Sequence, residues 1–172
     1  KKSVHAHALY DRGDLSAPTC NDCHGSHGAA PPGVDSVTSV CGTCHTREAT
    51  LFRETEAKSR LDLSDCIQCM VCHSNHAVTL PTDDMLGIGP QSTCTGCHAE
   101  GDKEYLAADR MHQALQRLRG RLAEAHDLLD RAGRAGVEVT PDRFALQAAQ
   151  DQIVEAKDRV PSFDLERFLK GT

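Results

Sequence analysis

The chain has 172 residues, a formal net charge of −6 at pH 7 and only 3% aromatic residues, a composition that excludes several classes of protein. It lacks the basic surface that contacts nucleic-acid phosphates, and no segment approaches the roughly 18 consecutive apolar residues of a membrane span. We therefore expect neither nucleic-acid binding nor a membrane span, and a core filled largely by something other than aromatic side chains. The chain begins Lys1-Lys2-Ser3-Val4 without an apolar signal segment, which we interpret as a mature or excised product.

Residues 1–101 contain four copies of the pentapeptide Cys-x-x-Cys-His, which account for eight of the nine cysteines. We name them motifs 1 to 4: Cys20-Asn21-Asp22-Cys23-His24, Cys41-Gly42-Thr43-Cys44-His45, Cys69-Met70-Val71-Cys72-His73 and Cys94-Thr95-Gly96-Cys97-His98. Motifs 1 and 3 are each followed by another histidine three residues later and then by the next motif. The chain therefore repeats a doubled unit, at about residues 17–50 and 66–101.

The spacing within each motif is typical of covalent haem attachment. Two cysteines so separated form thioethers with the two vinyl groups of haem, and the adjacent histidine binds the iron. The motifs thus predict four haem c groups, each held by two cysteines, with His24, His45, His73 and His98 as proximal ligands. Paired cysteines also build zinc sites, but those do not require a histidine after every second cysteine. Because haem c is normally attached outside the cytoplasm, we expect an exported, periplasmic or extracellular protein.

Distal iron ligands must come from the remaining histidines. His27 and His76 each lie three residues after a proximal histidine, too close to reach the opposite face of the same porphyrin. Each is therefore expected to serve another haem, most simply that of the partner motif in its own unit: His27 with motif 2 and His76 with motif 4. The alternative is a polar turn residue near a haem propionate.

Two histidines precede motif 1, and either can fold over its haem. We favour His5 as the distal ligand of motif 1, which makes His7 a spare candidate. On an extended segment the two side chains share one face. The spare histidine is then free to bond a propionate or to reach a neighbouring molecule.

The haem of motif 3 has no obvious distal ligand nearby, because no histidine lies between motifs 2 and 3. His112 is the favoured candidate, ahead of His126, which is expected to be a solvated helix residue, and of Met85, which is expected to pack. Without a ligand, this iron would be five-coordinate. The ninth cysteine, Cys66, lies three residues before Cys69 and is interpreted as a half-buried free thiol. An intermolecular disulfide or a thiolate iron ligand is the alternative.

From Asp102 the sequence becomes helical in pattern. Apolar residues recur at alternating steps of three and four, which is typical of a helix packed along a partner: Ala108, Met111, Leu115, Leu118, Leu122, Ala125, Leu129 and Ala132. Gly133 and Gly136 are expected to end this helix. Thr140-Pro141-Asp142 predicts the start of a second one, whose apolar positions are Leu146, Ala149, Ile153, Ala156 and Val160.

These elements define the expected architecture. We predict a mainly α protein with extensive irregular loops, in which a haem-packed tetrahaem region at residues 1–101 precedes an antiparallel helical hairpin and a short C-terminal helix at residues 102–172. The short helix is predicted around Phe163, Leu165, Phe168 and Leu169.

The doubled pattern, with its Cys-His-Gly-Ser-His-Gly segment from Cys23 to Gly28, resembles the multihaem cytochromes c with a doubled motif and, more loosely, the cytochrome c3 and c554-like electron carriers. The resemblance implies stacked haem pairs, mostly bis-histidine ligation, export, and electron transfer with redox partner proteins. Related chains often carry a histidine a few residues after a Leu-Phe pair. Here Leu51-Phe52 is followed by Arg53-Glu54-Thr55-Glu56-Ala57-Lys58 instead.

The sequence is compatible with three functions. The first is an electron carrier without enzymatic activity. The second is a cytochrome polymer, a homo-oligomer or filament in which a distal histidine is shared between subunits. The third is a reductase of small oxyanions with one open haem, for which Arg53, Lys58 and Arg60 are candidate distal cations. We favour the carrier.

Overall fold

The structure is a computed structural model that describes residues 2–27, 31, 33–34, 36–53, 68–157, 160 and 165–170. Across these residues it is mainly helical, with irregular loops and no β-strand, which confirms the expected fold class. The chain divides into two compact units, Lys1–Thr82 and Asp83–Thr172, which we call units 1 and 2. Within the described ranges, no helix combines the length and the apolar character needed to cross a membrane, as the sequence predicts.

Unit 1 consists of short helical pieces joined by irregular chain. Helix α1 (Val4–Ala6) continues into a π-helical turn, His7–Asp11. A 3-10 segment, Val37–Thr43, contains most of motif 2. The α-helices are α1 (Val4–Ala6), α2 (Cys20–His24), α3 (Thr46–Arg53) and α4 (Gln68–His73). Among the described residues of this unit, only Ser3, Ala8 and Val40 are buried. The described side chains of this unit therefore bury very little surface.

Unit 2 contains the long helices predicted from the apolar pattern: α5 (Lys103–Arg134), α6 (Thr140–Lys157) and α7 (Leu165–Lys170). Helix α5 has 32 residues and is therefore about 48 Å long at about 1.5 Å per residue. It begins after Asp102, whose backbone is extended, and the chain leaves it through Gly136 at φ +85°. A left-handed residue just past the last turn is the usual way to end a helix.

Helices α5 and α6 form the predicted antiparallel hairpin. Asp130 of α5 accepts a hydrogen bond of 2.6 Å from Arg143 of α6, and His126, one turn earlier, contacts Gln150 at 2.8 Å. Residue numbers thus increase along one helix where they decrease along the other, so the two helices are antiparallel. His126 bridges the two helices, which differs from its predicted role as a solvated residue.

The core of unit 2 lies between the N-terminal half of α5, the C-terminal half of α6, and α7. Met111, Leu115 and Phe168 are its largest fully buried side chains. Burying side chains of this size contributes about 1.5–3 kcal/mol each. The remaining buried members are Leu86, Ala108, Ala114, Ile153 and Ala156, with Cys94 packed against them.

Asp83 ties the loop before motif 4 to both long helices. Its side chain is only 8% exposed, and its carboxylate forms ion pairs with Arg119 of α5 and Lys157 of α6. Leu86 and Cys94 also belong to the packing around α5. The boundary between the units therefore lies at residues 82/83, whereas the change in sequence pattern lies at 101/102, because this loop packs on the hairpin.

Candidate haem-binding sites

Each of the four motifs folds as one helical turn. Motif 1 is α2 and motif 3 lies within α4. In motifs 2 and 4 the backbone N–H of the histidine donates to the carbonyl of the first cysteine, at 2.9 Å from His45 to Cys41 and 3.0 Å from His98 to Cys94. Residues three and four apart share one face of a helical turn. Both cysteines and the histidine of a motif are therefore directed to the same side, as attachment to one porphyrin requires.

Motifs 1 and 3 also end in the same way. The residue after each histidine adopts a positive φ, +68° at Gly25 and +64° at Ser74, and its N–H donates to the second motif residue, Asn21 or Met70, at 2.8 and 3.0 Å. Serine rarely adopts this conformation. The sequence repeat is thus preserved in the backbone even where the residue types differ.

His24 of motif 1 faces His76, the histidine that follows motif 3. The ring centroids lie 5.6 Å apart and the ring planes are inclined by 21°. Their Nε2 atoms are 3.4 Å apart. Histidines 52 positions apart in sequence thus present their metal-binding nitrogens to each other.

His45 of motif 2 has a comparable neighbour in His5. The two ring centroids lie 6.3 Å apart, with planes inclined by 43°. Helix α1, which carries His5, is capped by the Ser3 hydroxyl, and the Val4 N–H donates to the carbonyl of Val78 at 2.8 Å. The N-terminal segment is therefore held beside the chain that follows motif 3.

The cysteines of motifs 1 to 3 lie close together. The Cys69 thiol donates a hydrogen bond to the Cys41 sulfur; this bond lowers the pKa of Cys41 and, together with burial, raises the pKa of Cys69. Burial also raises the pKa of Cys23, and the nearby Cys41 raises it further. All eight motif cysteines lie outside any disulfide between described residues and are half-buried or exposed, so each is accessible for thioether formation.

His73 connects motifs 2 and 3. Burial lowers the pKa of His73, and the adjacent His45 lowers it further because two neighbouring imidazolium charges repel each other. The effect favours a neutral His73, the form that binds a metal. Three motifs, two of them neighbours through their histidines as well as their cysteines, therefore converge within unit 1.

In unit 2, one histidine of α5 has a fixed ring orientation. Nδ1 of His112 lies 3.0 Å from the carbonyl oxygen of Asp83 and donates to it. The ring lines a cleft of about 250 Å³ with Leu86, Gln91 and neighbouring residues of the same loop. The hydrogen bond at Nδ1 leaves Nε2 as the nitrogen available for a metal.

Other histidines have different partners or none described. His7 pairs with Asp11 on the exposed surface, and His126 pairs with Gln150 between the helices. His27 is exposed and has a left-handed backbone at φ +57°. Met85, in the 3-10 turn Asp83–Met85, is partly buried.

The structure groups these histidines differently from the sequence-based pairing. The sequence favours His76 with motif 4 and His5 with motif 1; in the structure His76 faces His24, and His5 is beside His45. The pairing of His112 with motif 3 joins residues of different units and stays a prediction. Cys66, Lys58 and Arg60 lie outside the described residues. The sequence did not predict the hydrogen bond from His112 to the Asp83 carbonyl, because a backbone acceptor does not depend on the residue type.

The residues present fit haem. An imidazole nitrogen lies about 2 Å from a bound metal ion, so two imidazoles on opposite faces of one metal place their nitrogens about 4 Å apart and their ring centres about 6.4 Å apart. The pair His5 and His45 has this centroid separation, and His24 and His76 are slightly closer. Comparison with family models, curated protein sequences and solved structures found no match to this chain.

Proposed function

We propose that this chain is an exported tetrahaem c-type cytochrome that transfers electrons between redox partner proteins. The observation that carries the proposal is the facing of His24 and His76, two imidazoles from different motifs with their Nε2 atoms 3.4 Å apart. The two nitrogens are at hydrogen-bonding distance, and because His24 belongs to a Cys-x-x-Cys-His motif, an iron held between the rings accounts for their approach best. The resemblance to multihaem cytochromes with a doubled motif agrees with this reading.

The cysteines and the histidine of each motif would hold the haem in different ways. The two cysteines of each motif form the thioethers, and His24, His45, His73 and His98 supply the proximal nitrogens. Haem iron, when bound, supplies a one-electron couple between its ferric and ferrous states. The protein contributes ligand identity, burial and hydrogen bonding, which set the reduction potential.

A carrier is favoured over a catalyst because imidazoles are available for both axial positions at motifs 1 and 2. An iron with two imidazole ligands has no open position for a substrate. It can still exchange electrons through the porphyrin edge. The structure brings His5 and His76 to these motifs from other parts of unit 1, which is the arrangement that a saturated carrier needs.

Proximity of the motifs supports transfer from haem to haem. The Cys41 and Cys69 sulfurs are in hydrogen-bonding contact, and both would become thioethers at porphyrin edges. His45 and His73 are neighbours as well. The haems of motifs 2 and 3 would therefore be attached close together, as transfer between them requires.

The proposal includes an exported location and an electrostatic preference. Thioether attachment takes place in compartments outside the cytoplasm, so we place the protein in the periplasm or outside the cell. Its negative charge, increased by haem propionates, favours partners with a basic or neutral surface and encounter rates that fall with ionic strength.

A haem count tests the proposal directly. We expect a pyridine haemochrome assay and intact mass to give four covalent haems per chain, and the Cys94→Ala/Cys97→Ala variant to give three. Low-temperature EPR of the oxidised protein should show low-spin irons that do not respond to cyanide. A chain without covalent haem would overturn the proposal, and a high-spin, ligand-responsive iron would favour the reductase.

A further inference from the structure

We infer that the two copies of the doubled motif are joined through iron: His76 of the second copy ligates the haem of motif 1, and His5 of the N-terminal segment ligates the haem of motif 2. The inference rests on the proposed function and adds which histidine closes which site. It replaces the simpler pairing in which His76 serves motif 4 of its own copy and His5 serves motif 1.

The first argument is the geometry at motif 1. His24 is fixed by the helical turn of α2, and its Nε2 points at the Nε2 of His76 across 3.4 Å. Opening this gap to the separation of about 4 Å that two metal-bound imidazoles require needs a shift smaller than a bond length. The centroid separation of 5.6 Å exceeds the Nε2 separation, so the rings meet through their nitrogens, as two imidazoles that share one metal would.

The second argument is the chain between His73 and His76. Ser74 reverses the backbone with a φ of +64°, and the Asn75 side-chain oxygen accepts a hydrogen bond of 2.6 Å from the His76 N–H. This local turn directs His76 away from its own motif. It brings the ring to His24 and holds it there without a long flexible connection.

The third argument concerns His5. Helix α1 is anchored by the Ser3 cap and by the hydrogen bond from Val4 to Val78, two residues beyond His76. The same segment of chain thus positions both distal ligands. His5 reaches His45 with the centroid separation of 6.3 Å expected across an iron, whereas the next histidine, His7, is turned to Asp11.

The arrangement has a consequence for the path of electrons. The haems of motifs 1 and 3 are linked by the short turn from His73 to His76, and the haems of motifs 2 and 3 by the contact between Cys41 and Cys69. In addition to the direct proximity of motifs 1 and 2 through Cys23 and Cys41, these contacts connect both motifs to the haem of motif 3. Electrons that pass from motif 1 to motif 2 have a route through it.

Single substitutions in the full haem-loaded chain test the assignment. His76→Ala and His5→Ala are each expected to convert one low-spin iron to a high-spin iron in the low-temperature EPR spectrum, with the haem count kept at four. Added imidazole should restore the low-spin signal by filling the vacated position. His7→Ala and His126→Ala serve as matched controls and should leave all spin states unchanged.

Two background variants identify the iron affected by His76. In a chain lacking motif 4 attachment, Cys94→Ala/Cys97→Ala, His76→Ala should still create one high-spin iron. In a chain lacking motif 1 attachment, Cys20→Ala/Cys23→Ala, it should create no additional one. The reverse pattern would assign His76 to motif 4 and overturn the inference, as would an unchanged spectrum after His76→Ala in the full chain.

A conservative variant covers the case in which alanine disturbs folding. His76→Met replaces the imidazole nitrogen with a thioether sulfur that can still ligate the iron, and histidine–methionine ligation raises the reduction potential of a haem. We expect one potential to rise and the others to stay near their original values, and four unchanged potentials would refute the assignment. A haem count other than four in the unmodified chain would instead refute the proposed function, so the two failures are distinguishable.

Discussion

At the scale of single residues, the hydrogen bond made by one imidazole nitrogen decides what the other can bind. His112 donates from Nδ1 to the Asp83 carbonyl at 3.0 Å, so its tautomer and ring orientation are set before any metal binds. The carboxylate of the same Asp83 is held by Arg119 and Lys157. The ring of His112 is thus oriented in the way that metal-binding histidines are, and we expect it to occupy a distal position in the proposed cytochrome.

Gly87 gives this histidine its space. A Cβ at this position would lie 2.9 Å from Cβ of His112, and its φ of +100° is unfavourable for any other residue. Gly87→Ala should therefore lower the free energy of unfolding by about 1–3 kcal/mol, measured by denaturant titration, and should displace the ring of His112. Gly89→Ala is the control, because a Cβ there meets nothing within 4 Å. Equal effects of the two substitutions would contradict this account.

His27 is the repeat equivalent of His76, since each lies three residues after a proximal histidine and the preceding turns share their backbone geometry. If the second copy supplies a ligand to motif 1, the symmetry of the repeat predicts that His27, in place of His112, ligates the haem of motif 3 and not that of motif 2. His27→Ala should then produce one high-spin iron, and the same substitution in a Cys69→Ala/Cys72→Ala background should produce no further change in the EPR spectrum. A high-spin iron that persists in that background would assign His27 to another motif.

At the scale of elements, the two units obtain their helices in different ways. Helices α2 and α4 have five and six residues, and isolated helices of that length are unstable in water because nucleation is costly. They depend on what packs against them. Helix α5, by contrast, has 32 residues and a continuous apolar side, so packing against α6 and α7 is enough to stabilise it.

The contribution of that packing is testable with two leucines of α5. Leu115 is 1% exposed and Leu128 is 58% exposed. Leu115→Ala should lower the free energy of unfolding of unit 2 by about 2–5 kcal/mol, because it leaves a cavity in the core. Leu128→Ala should change it by no more than about 0.5 kcal/mol. Thermal unfolding followed by circular dichroism measures both, and similar losses would mean that the core lies elsewhere.

At the scale of the whole molecule, the distribution of buried residues divides the chain. Unit 2 has an apolar core that includes Met111, Leu115 and Phe168, whereas the described part of unit 1 buries only Ser3, Ala8 and Val40. Folding must offset a large loss of conformational entropy. Unit 2 can do so with its side chains, and unit 1, in the proposed cytochrome, does so with porphyrin surface and iron ligands.

Haem removal should therefore affect the two units unequally. We expect a chain with all eight motif cysteines replaced by alanine to lose amide protection in the described helices of unit 1, because the surface and ligation that hold this unit together in the proposed cytochrome are absent. The amides of α5 and α6 should stay protected. Hydrogen exchange with mass spectrometry measures both regions at once. Persistent protection in unit 1 would show that its side chains are sufficient.

Local sequence patterns predicted the proposed haem chemistry and the long helices of this protein. The spacing within each motif predicts which residues would hold a haem, and the pattern after Asp102 placed both ends of α5 and the start of α6 to within a residue or two, because both depend on neighbours along the chain. The predicted apolar positions of the second helix extend to Val160, three residues beyond the end of α6 at Lys157. Gly136 marked the end of α5 for the same reason.

Only the tertiary structure decided which histidines meet. His24 and His76 are 52 positions apart, and His5 and His45 are 40 apart. No local pattern selects such partners, because several histidines of the sequence are equally suitable candidates for each site. The division of the chain at residues 82/83 likewise depends on Leu86 and Cys94 packing against α5. Contacts of this kind follow from how the elements pack in space, and spacing along the chain does not encode them.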